Sequence, residues 1–482
     1  MEKNLCHSAR SVCPQAKKCG GCQMLNLSYE EQLAWKERTV KRLIGRFCRV
    51  LPIRGMETPY HYRNKVQAAF GLDRTRHTII SGVYQSTSHR IVPIDRCAIE
   101  DEAADAIIVT IRQMLPSFKI RVYDERSGTG WLRHVLVRRG FATGEIMVVL
   151  VAISPVFSAQ RSFTAKLLAL HPEITTVVLN VNDTSTPLFL GSREKVLYGS
   201  GYIEDELCGL TFRISPRSFY QINPTQTERL YSAAVEFAGL HGTETVLDAY
   251  CGIGTIGLIA SRKAGRVLGV EINRDAVRDA IANARRNDIK NTWFTAADAG
   301  EYMTQMALER EHVDVVFMDP PRAGSDPRFL RALLRLKPDR IVYISCNPET
   351  LARDLETLTG VGYRAELAQP VDMFPQTKHV ETVVQLSKGN ISSKNVKVEF
   401  SLEDMDMSRF QQGATYEQIQ EWVKEKYGLH VTHLNIAKTK RKCGIIERQN
   451  YNLPKSEDSR SPDTPKEKEE AIIDAFLYFK MM

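Results

Sequence analysis

The sequence predicts an α/β protein built around a doubly wound, mostly parallel sheet, with a β-rich region before it and a small accessory segment after it. Two patterns predict this arrangement. After Pro216, short apolar runs alternate with helical stretches, which is typical of a parallel sheet covered by helices on both faces. Before that residue, alternating polar and apolar runs punctuated by Gly and Pro indicate β-strands.

The length of 482 residues is enough for two or three domains. We place the β-rich domain at residues 1–215, the central sheet at 216–388 and an accessory α+β extension with a linker at 389–482. Part of residues 30–65 is expected to pack on the central domain.

The composition is that of a soluble globular protein: 43% hydrophobic and 25% charged residues, with a formal net charge of +8. This mild basic excess agrees with a nucleic-acid partner, but many enzymes without one share it. Met1–Arg10 is polar, unlike a secretory signal, and the longest apolar run, Ile146–Ile153, is too short to span a bilayer. We therefore expect a cytoplasmic monomer with no membrane partner, whose ten cysteines stay reduced.

The β-rich region contains three predicted helices, at Tyr29–Phe47, Glu100–Leu115 and Ala159–Leu170. Strands are predicted within Val50–Val92 and, around the third helix, between about residues 119 and 213. Trp131–Arg139 alternates large apolar and basic residues, so we expect a strand with one buried face and one face of solvent-facing cations.

The central region alternates strands and helices in the order expected of a parallel sheet. The predicted elements are strand Thr245–Asp248, helix start Thr255–Arg262, strand Val267–Val270, helix Arg274–Asn287, strand Val313–Met318, helix Pro327–Leu336, strand Arg340–Ser345 and strand Glu381–Leu386.

The accessory segment, Val396–Met482, is predicted to begin its ordered part with a helix near Tyr416–Tyr427, with Thr415 in a capping position and Gly428 as the stop. A basic run, Lys438–Lys442, follows, and Pro454–Lys468 reads as a flexible linker.

A glycine-rich turn, Gly252–Gly257, follows the strand that ends at Asp248 and predicts a cofactor site. Glu271 ends the next strand, where a carboxylate can accept bonds from ribose hydroxyls, and Asp298 ends a plausible third strand, near an adenine position. An NAD-type site is the alternative. The absence of a third spaced glycine and the acid before the loop favour S-adenosylmethionine, which has no pyrophosphate.

Two further motifs follow strand ends: Asp319-Pro-Pro-Arg322 and Ser345-Cys-Asn-Pro348. Open α/β sheets bind ligands beyond the carboxyl ends of their strands, so both motifs should share the edge of the sheet that carries the glycine-rich turn. Cys346 could instead be a buried core cysteine, but its place before Asn-Pro favours an exposed turn.

These two motifs, with His379-Val-Glu381-Thr-Val and Ser218-Phe-Tyr-Gln-Ile-Asn223, closely resemble those of the RNA (uracil-5-)-methyltransferase family. The resemblance covers roughly residues 10–388 and is specific only through the motifs taken together. It implies a Rossmann-like, S-adenosylmethionine-dependent methyltransferase domain.

The resemblance also implies a chemistry. Carbon 5 of uracil is a poor nucleophile, and attack of a thiolate on carbon 6 makes it nucleophilic toward a sulfonium methyl group. Cys346 matches the family's nucleophile, and Glu381 matches the base that removes the proton from carbon 5. Asp319 matches a residue that orients the uracil edge or the cofactor.

Other positions match by the same resemblance. Four match cofactor contacts: Gln221, Tyr250, Glu271 and Asp298. Phe219 would stack on a base, and Arg63 matches a position close to the substrate. Tyr62–Lys65 and Arg133-His134 join cations to polar or aromatic groups, as phosphate contacts require, although an ordinary solvated strand face would look the same.

Cys13, Cys19 and Cys22 are close in sequence and Cys97 lies far downstream. Four thiolates can hold a 4Fe-4S cluster or a zinc ion, and their spacing does not distinguish the two. The cysteines resemble those of the iron–sulfur members that modify 23S rRNA, which favours 4Fe-4S in a structural role.

The expected partner is therefore RNA, most plausibly ribosomal RNA, with tRNA and a non-catalytic iron–sulfur RNA-binding protein as alternatives. An amino-group methyltransferase would not need Cys346, and a 5-methylcytosine enzyme generally has a cysteine in the Pro-Pro region, where this chain has none.

Many family members carry an RNA-binding β-barrel before the cysteines, and Cys13 comes too early for one here. Val396–Met482 is our hypothesis for a replacement RNA anchor.

Overall fold

A computed structural model describes residues 13–73, 75–85, 88, 90–183, 189–389, 416–443 and 464–478. The chain divides into two compact units, Met1–Ile391 and Ser392–Met482. The predictions made for Met1–Arg10, for the capping residue Thr415 and for residues 454–463 lie outside the described residues.

The first unit opens with two helices and a β-rich part. Its elements are α1 (Ala16–Cys19), α2 (Tyr29–Ile44), β1 (Arg49–Val50), β2 (Lys65–Asp73), β3 (Thr78–Tyr84), β4 (Ile91–Pro93), α3 (Glu102–Met114), β5 (Leu132–Arg139), β6 (Ile146–Ala152), α4 (Gln160–Leu170), β7 (Ile174–Val181), β8 (Arg193–Tyr198), β9 (Ile203–Leu207) and β10 (Leu210–Ile214).

The α/β part of the first unit follows. Its elements are α5 (Pro224–Ala238), β11 (Thr245–Asp248), α6 (Thr255–Ser261), β12 (Arg266–Glu271), α7 (Arg274–Arg286), β13 (Thr292–Ala296), α8 (Ala299–Leu308), β14 (Val315–Met318), α9 (Pro327–Leu336), β15 (Arg340–Ser345), α10 (Pro348–Gly360), β16 (Tyr363–Val371) and β17 (Glu381–Lys388).

The β-rich part is a seven-stranded sheet in the order β4-β3-β2-β5-β6-β7-β8. The longest apolar run of the sequence forms the interior strand β6, in which every residue is buried. One face of the sheet packs on α3 and α4. Side chains of the opposite face, among them Leu136 and Val149, share a core with the β9–β10 hairpin and with α5.

The α/β part contains an eight-stranded sheet in the order β1-β16-β17-β15-β14-β11-β12-β13. Neighbouring strands are parallel except where β17 lies antiparallel between β15 and β16. Helices cover both faces, so the predicted doubly wound, mostly parallel sheet is confirmed. Both carboxyl-end motifs and the glycine-rich turn therefore lie along one edge.

Helix α2 precedes the β-rich part in sequence but packs on the α/β sheet, where Val40 and Ile44 are fully buried. A capping box formed by Ser28 and Glu31 starts the helix. Strand β1 then adds to the edge of the same sheet, parallel to β16. The chain thus begins on the α/β part, leaves it to form the β-rich part, and returns.

The prediction for Trp131–Arg139 was wrong about the second face of the strand. Its apolar face is buried as expected, but His134 and Arg138 on the other face are also buried. The cause is that this second face packs on the β9–β10 hairpin and on α5 rather than facing solvent. Alternation predicts which residues share a face, but not what covers that face.

The strand predicted to end at Asp298 stops earlier, and several other elements were not predicted. Asp298 does not end a strand, because β13 stops at Ala296 and Asp298 instead caps α8 by accepting a hydrogen bond from the amide of Glu301 (3.0 Å). The elements not predicted from sequence are α1, α5, α8, α10, β16 and the last two helices of the chain.

The second unit contains α11 (Tyr416–Tyr427), α12 (His433–Lys442) and α13 (Lys466–Tyr478). Ile419, Val431 and Phe476 lie in its small apolar core. The basic run lies within α12, and α13 begins inside the segment predicted to be a linker, so that prediction was wrong for Lys466–Lys468. Among the described residues, no helix combines the length and apolar character needed to cross a bilayer.

Candidate active site

Cys346 and Glu381 lie on neighbouring strands at the carboxyl edge of the α/β sheet. Cys346 follows the last residue of β15, and Glu381 is the first residue of β17. Ser345 pairs with Thr382 in the antiparallel register, which sets Cys346 beside Glu381. Because β17 runs against its neighbours, its first residue lies at the edge where β15 ends.

The Cys346 thiol is half-buried in a turn between β15 and α10. The hydroxyl of Ser345 and the backbone of Asn347 close this turn through two hydrogen bonds, and Asn347 caps α10. Burial raises the pKa of the thiol to about 11, and the carboxyl groups of Glu381 and Asp319 add to the rise. The turn positions the sulfur, and burial, with a smaller contribution from the two acids, favours its thiol form.

Three charged groups surround this sulfur. Glu381 is 4% exposed, and burial together with the nearby Asp319 raises its pKa well above the usual value. Burial also raises the pKa of Asp319 to about 7. Arg322, exposed at the end of the Asp-Pro-Pro-Arg motif, opposes the rise at both Cys346 and Glu381. The site can therefore exchange protons near neutral pH.

The glycine-rich turn occupies the next stretch of the same edge. The Asp248 carboxylate is 2% exposed and accepts a hydrogen bond from the Gly257 amide (3.0 Å), and burial raises its pKa to about 7. Glu271 accepts a hydrogen bond from the Gly252 amide (3.2 Å). Gly252 has φ +54°, and a Cβ placed there would point into open space. The turn thus leaves room for a ligand between carboxylates.

Tyr250, Asp298 and Gln221 line the two sides of this turn. The Tyr250 ring is half-buried and stacks on Phe329 with centroids 4.9 Å apart. Asp298 is exposed at the start of α8 and close enough to raise the pKa of the Tyr250 phenol, after the larger effect of burial. Gln221 is buried against the phenol of Tyr231, which itself lies near Asp319 and Asp248.

The order of strands in the sheet sets the approximate distance between the candidate residues along this edge. Starting from β17, this edge of the sheet presents Glu381, Cys346, Asp319, Asp248 and Glu271 in that order. Neighbouring strands are about 4.8 Å apart, so Cys346 and Glu271 are separated by about 14 Å. The nucleophile candidate and the cofactor candidates therefore occupy two ends of one continuous strip.

Phe219 projects from a rigid turn into solvent, with 65% of its surface exposed. Its neighbours are fixed: the Ser218 hydroxyl donates to Asp279 (2.7 Å), and Tyr220 is buried. Downstream, the Asn223 amide donates to the carbonyl of Met373 (3.0 Å), in the segment that leads to Glu381. An exposed aromatic ring on a fixed backbone is suited to stacking on a planar ligand.

Arg63 lies between the cysteine segment and the catalytic edge. Its charge lowers the pKa of Glu100 against the larger effect of burial, and it contributes to lowering the pKa of His379, two residues before Glu381. His134 is different: it is 6% exposed, stacks on Phe189, and has a pKa lowered to about 4 by burial and by Arg133. It is a neutral core histidine, so its predicted phosphate contact was wrong.

The four cysteines converge on Glu100. Burial is the main cause that raises the pKa of Cys22 to about 12, with Cys19 and Cys13 contributing, so these three are neighbours. Burial and Glu100 raise the pKa of Cys97, whose thiol is hydrogen-bonded to the Glu100 carboxyl. All four are free thiols with intermediate burial.

The family model described as tRNA (uracil-5-)-methyltransferase matches residues 28–389. The chain belongs to this family. This RNA methyltransferase is 43% identical over 383 residues to an uncharacterized RNA methyltransferase from Halalkalibacterium halodurans, covering 78% of this chain and 83% of the relative. A second relative, from Oceanobacillus iheyensis, is 43% identical over 375 residues and covers 77% and 81%.

Among solved structures, the methyltransferase is similar to the Pyrococcus abyssi tRNA (uracil-54, C5)-methyltransferase in complex with S-adenosyl-L-homocysteine. The identity is 28%, the TM-score is 0.62, and the match covers 77% of this chain and 86% of that one. The fold is therefore that of an S-adenosylmethionine-dependent methyltransferase with a Rossmann-like core.

The residues present fit S-adenosylmethionine as the cofactor. Its sulfonium is cationic, and the strip offers the carboxyls of Asp248 and Asp319, whose pKa values burial raises and whose charged forms a bound cation would stabilise. The open space at Gly252 admits a ligand beside Glu271. A dinucleotide would bring a pyrophosphate, and the acids of the methyltransferase would repel it.

Sequence reasoning missed some residues of the methyltransferase site. Asp248 was seen only as the acid before the loop, although its raised pKa and its bond to Gly257 tie it to the strip. Arg322 was quoted within a motif but given no role, although its charge lowers the pKa of both catalytic candidates against the larger effect of burial. The Asp-Pro-Pro-Arg motif was the signal in the sequence, because it directly follows a predicted strand and so places Arg322 at the carboxyl edge of the sheet.

Proposed function

We propose that this methyltransferase modifies carbon 5 of a uridine in 23S rRNA, with Cys346 as nucleophile and Glu381 as base. The observation that carries the proposal is the antiparallel register that sets Glu381 beside Cys346 at the strand edge. A uracil ring presents carbon 6 and carbon 5 side by side. A thiol and a carboxyl on adjacent strands, about 4.8 Å apart, are spaced to reach both carbons.

The covalent step uses the protein's own groups. The Cys346 thiolate bonds to carbon 6 and the ring electrons move toward carbon 5. S-adenosylmethionine, when bound, supplies the electrophilic methyl group. Glu381 then takes the proton from carbon 5, the bond between carbon 6 and sulfur breaks, and the thiolate is released.

The raised pKa of Glu381 suits it to this role. Burial and Asp319 destabilise its charged form, so the carboxylate is a stronger base than an ordinary glutamate. Asp319 is proposed to orient the uracil edge or the cofactor. Gln221, Tyr250, Glu271 and Asp298 are proposed as cofactor contacts, whereas Phe219 and Arg63 are proposed to contact RNA.

A 4Fe-4S cluster held by Cys13, Cys19, Cys22 and Cys97 is part of the proposal. One zinc ion with Zn–S bonds of about 2.3 Å would hold its sulfurs about 3.8 Å apart. Among the described residues, no three of these sulfurs lie within 4.8 Å of one another. The choice of 4Fe-4S over zinc rests on the resemblance of these cysteines to those of the iron–sulfur members of the family.

The choice of 23S rRNA rests on the cysteines, which resemble those of the iron–sulfur members. The family description and the Pyrococcus abyssi neighbour both name tRNA, and they favour tRNA uridine as a second candidate. Mass mapping of 5-methyluridine in ribosomal and transfer RNA from a strain without the protein separates them. Loss of the modification from tRNA alone would overturn the rRNA assignment.

The mechanism is tested with 5-fluorouridine-containing 23S rRNA. Fluorine replaces the proton that Glu381 must remove, so methylation should stop at a stable Cys346–RNA adduct, detected as a denaturation-resistant band. Cys346→Ser should abolish the adduct. Cys48→Ser is the matched control, because Cys48 is also half-buried with a pKa raised by burial to about 11. Methyl transfer by Cys346→Ser would overturn the mechanism.

A further inference from the structure

Lys65 and Arg138 form a pair of like charges across two strands of the β-rich sheet. Lys65 is the first residue of β2, and Arg138 is its direct partner in the antiparallel register with β5. Like charges directly opposite each other destabilise a sheet. The pair therefore requires an explanation outside the folding of the sheet.

Neither cation is neutralised within the protein. Arg138 is 5% exposed, and its Nε has no hydrogen-bond partner. Burial, Arg138 and Arg63 lower the pKa of Lys65 to about 8. Among the described residues, no carboxylate makes an ion pair with either side chain, whereas the neighbouring Arg139 pairs with Asp101 at 2.9 Å. Within the described residues, a carboxylate therefore neutralises Arg139 in this sheet, whereas none neutralises Lys65 or Arg138.

The pair lies at the base of the Phe219 turn. Arg138 Nη2 donates to the carbonyl of Ser218 at 2.5 Å. Asn64, next to Lys65, donates its amide to the carbonyl of Gln221 at 3.0 Å. Two hydrogen bonds thus join the cationic strands to both sides of the exposed ring. Lys65 itself is only partly buried, so solvent and an anion can reach it.

We propose that Lys65 binds a phosphate of the RNA backbone next to the uridine that stacks on Phe219, with the charge of the buried Arg138 behind it, an inference that rests on the function proposed above. The occupant supplies the negative charge that the sheet lacks. A phosphodiester suits this arrangement, because the Lys65 ammonium can contact it directly as a point charge while Arg138 attracts it from beneath. The phosphate fixes the register of the strand, while Phe219 and the catalytic edge select the base.

The test uses the full-length protein with Lys65→Met, which keeps the length of the side chain and removes its charge. RNA affinity is measured with a 23S rRNA transcript between about 50 and 200 mM salt. We expect about tenfold weaker binding, as for the loss of a charged hydrogen bond. We also expect the slope of log affinity against log salt concentration to become shallower by about one, which corresponds to the loss of one phosphate contact.

Stability moves in the opposite direction if the proposal is right. Without RNA, Lys65→Met removes the repulsion from Arg138, so its melting temperature should rise rather than fall. A lysine that only supported the fold would give lower stability and an unchanged salt slope. Lys166→Met, on the exposed face of α4, is the matched control and should change neither quantity.

Two further readouts separate the possible failures. Methylation of the transcript by the unsubstituted protein reports on the proposed function; absence of any methylation would be a failure of that function. If methylation proceeds and Lys65→Met binds the transcript as well as the unsubstituted protein does, the phosphate site is wrong. If Lys65→Met instead loses affinity for S-adenosylmethionine, the anion is the cofactor carboxylate, and the proposal is overturned.

Discussion

A carboxyl group beside a thiol has two opposite effects on a covalent mechanism. As a charge, Glu381 disfavours the Cys346 thiolate and contributes to its raised pKa. As a base, it is positioned for the later proton transfer. The cost of the first effect is reduced because burial and the nearby Asp319 also raise the pKa of Glu381, which favours its neutral form.

Glu381→Gln should lower the pKa of Cys346 from about 11, because a charge that disfavours the thiolate is removed. The thiolate fraction below that pH then increases, so alkylation by iodoacetamide at a fixed alkaline pH becomes faster. The measurement is the pH dependence of Cys346 alkylation, followed by peptide mass spectrometry.

Glu349→Gln is the control for this experiment. Glu349 is exposed in the first turn of α10, three residues from Cys346, and the same change there should leave the alkylation profile in place. Superimposable profiles for Glu381→Gln and the unsubstituted protein would contradict the electrostatic account of the site.

At this scale the sequence predicted the residue types but not their pairing. Cys346 and Glu381 are in separate motifs, and both were predicted from family resemblance. Their adjacency depends on β17 entering antiparallel between β15 and β16, which no local pattern encodes. Lys65 was predicted as a possible phosphate contact, but Arg138 was expected to face solvent, since burial of that face comes from another part of the chain.

Helix α2 is tied to the segment that precedes β17 by several buried contacts. Lys36 Nζ lies 2.5 Å from Asp372 Oδ1 with both side chains fully buried, and it also donates to the carbonyl of Phe374 (3.0 Å). Gln32 and Gln376 exchange two hydrogen bonds, of 2.9 and 3.0 Å. The helix thereby fixes the loop that presents Glu381.

Lys36→Met should cost about 3–5 kcal/mol in the free energy of unfolding, because it leaves Asp372 buried without its cation. Urea unfolding monitored by circular dichroism measures the loss. Lys41→Met on the same helix removes an exposed pair with Glu37 and should change stability by less than about 1 kcal/mol. Equal losses in the two variants would contradict the buried ion pair as the source.

The sequence predicted the helix itself, since the observed Tyr29–Ile44 lies within the predicted Tyr29–Phe47. It gave no sign that Lys36 would be buried, because lysine on a helix is usually solvated. The only hint is spacing: Lys36, Val40 and Ile44 follow one another at intervals of four and share a face. A lysine within the apolar face of a helix therefore indicates a buried anionic partner.

For the molecule as a whole, the predicted fold class was confirmed because strand–helix alternation is a local pattern repeated many times. Its division at residue 215 stays a prediction, since Met1–Ile391 forms one compact unit with a core shared by both parts. The boundary predicted near residue 389 also stays a prediction; the two compact units divide between Ile391 and Ser392.

A chain that ends at Ile391 should bind S-adenosylmethionine as well as the full chain does, because every proposed cofactor contact lies in the first unit. Its affinity for 23S rRNA should fall, because the basic run Lys438–Lys442 is removed. Filter binding and cofactor titration measure the two quantities. Unchanged RNA affinity would refute an anchoring role for the second unit, and lost cofactor binding would show that the first unit needs it.

The ion pair between Lys36 and Asp372 joins residues 336 positions apart. Ribosomes add roughly 5–20 residues per second, so the aspartate emerges roughly 20–70 s after the lysine. During that interval the N-terminal helix has been synthesised, but the part of the sheet that covers its apolar face has not. The N-terminal helix can therefore bury Lys36 beside its partner only after Asp372 has been synthesised, so its packing and the catalytic edge are completed together, late in synthesis.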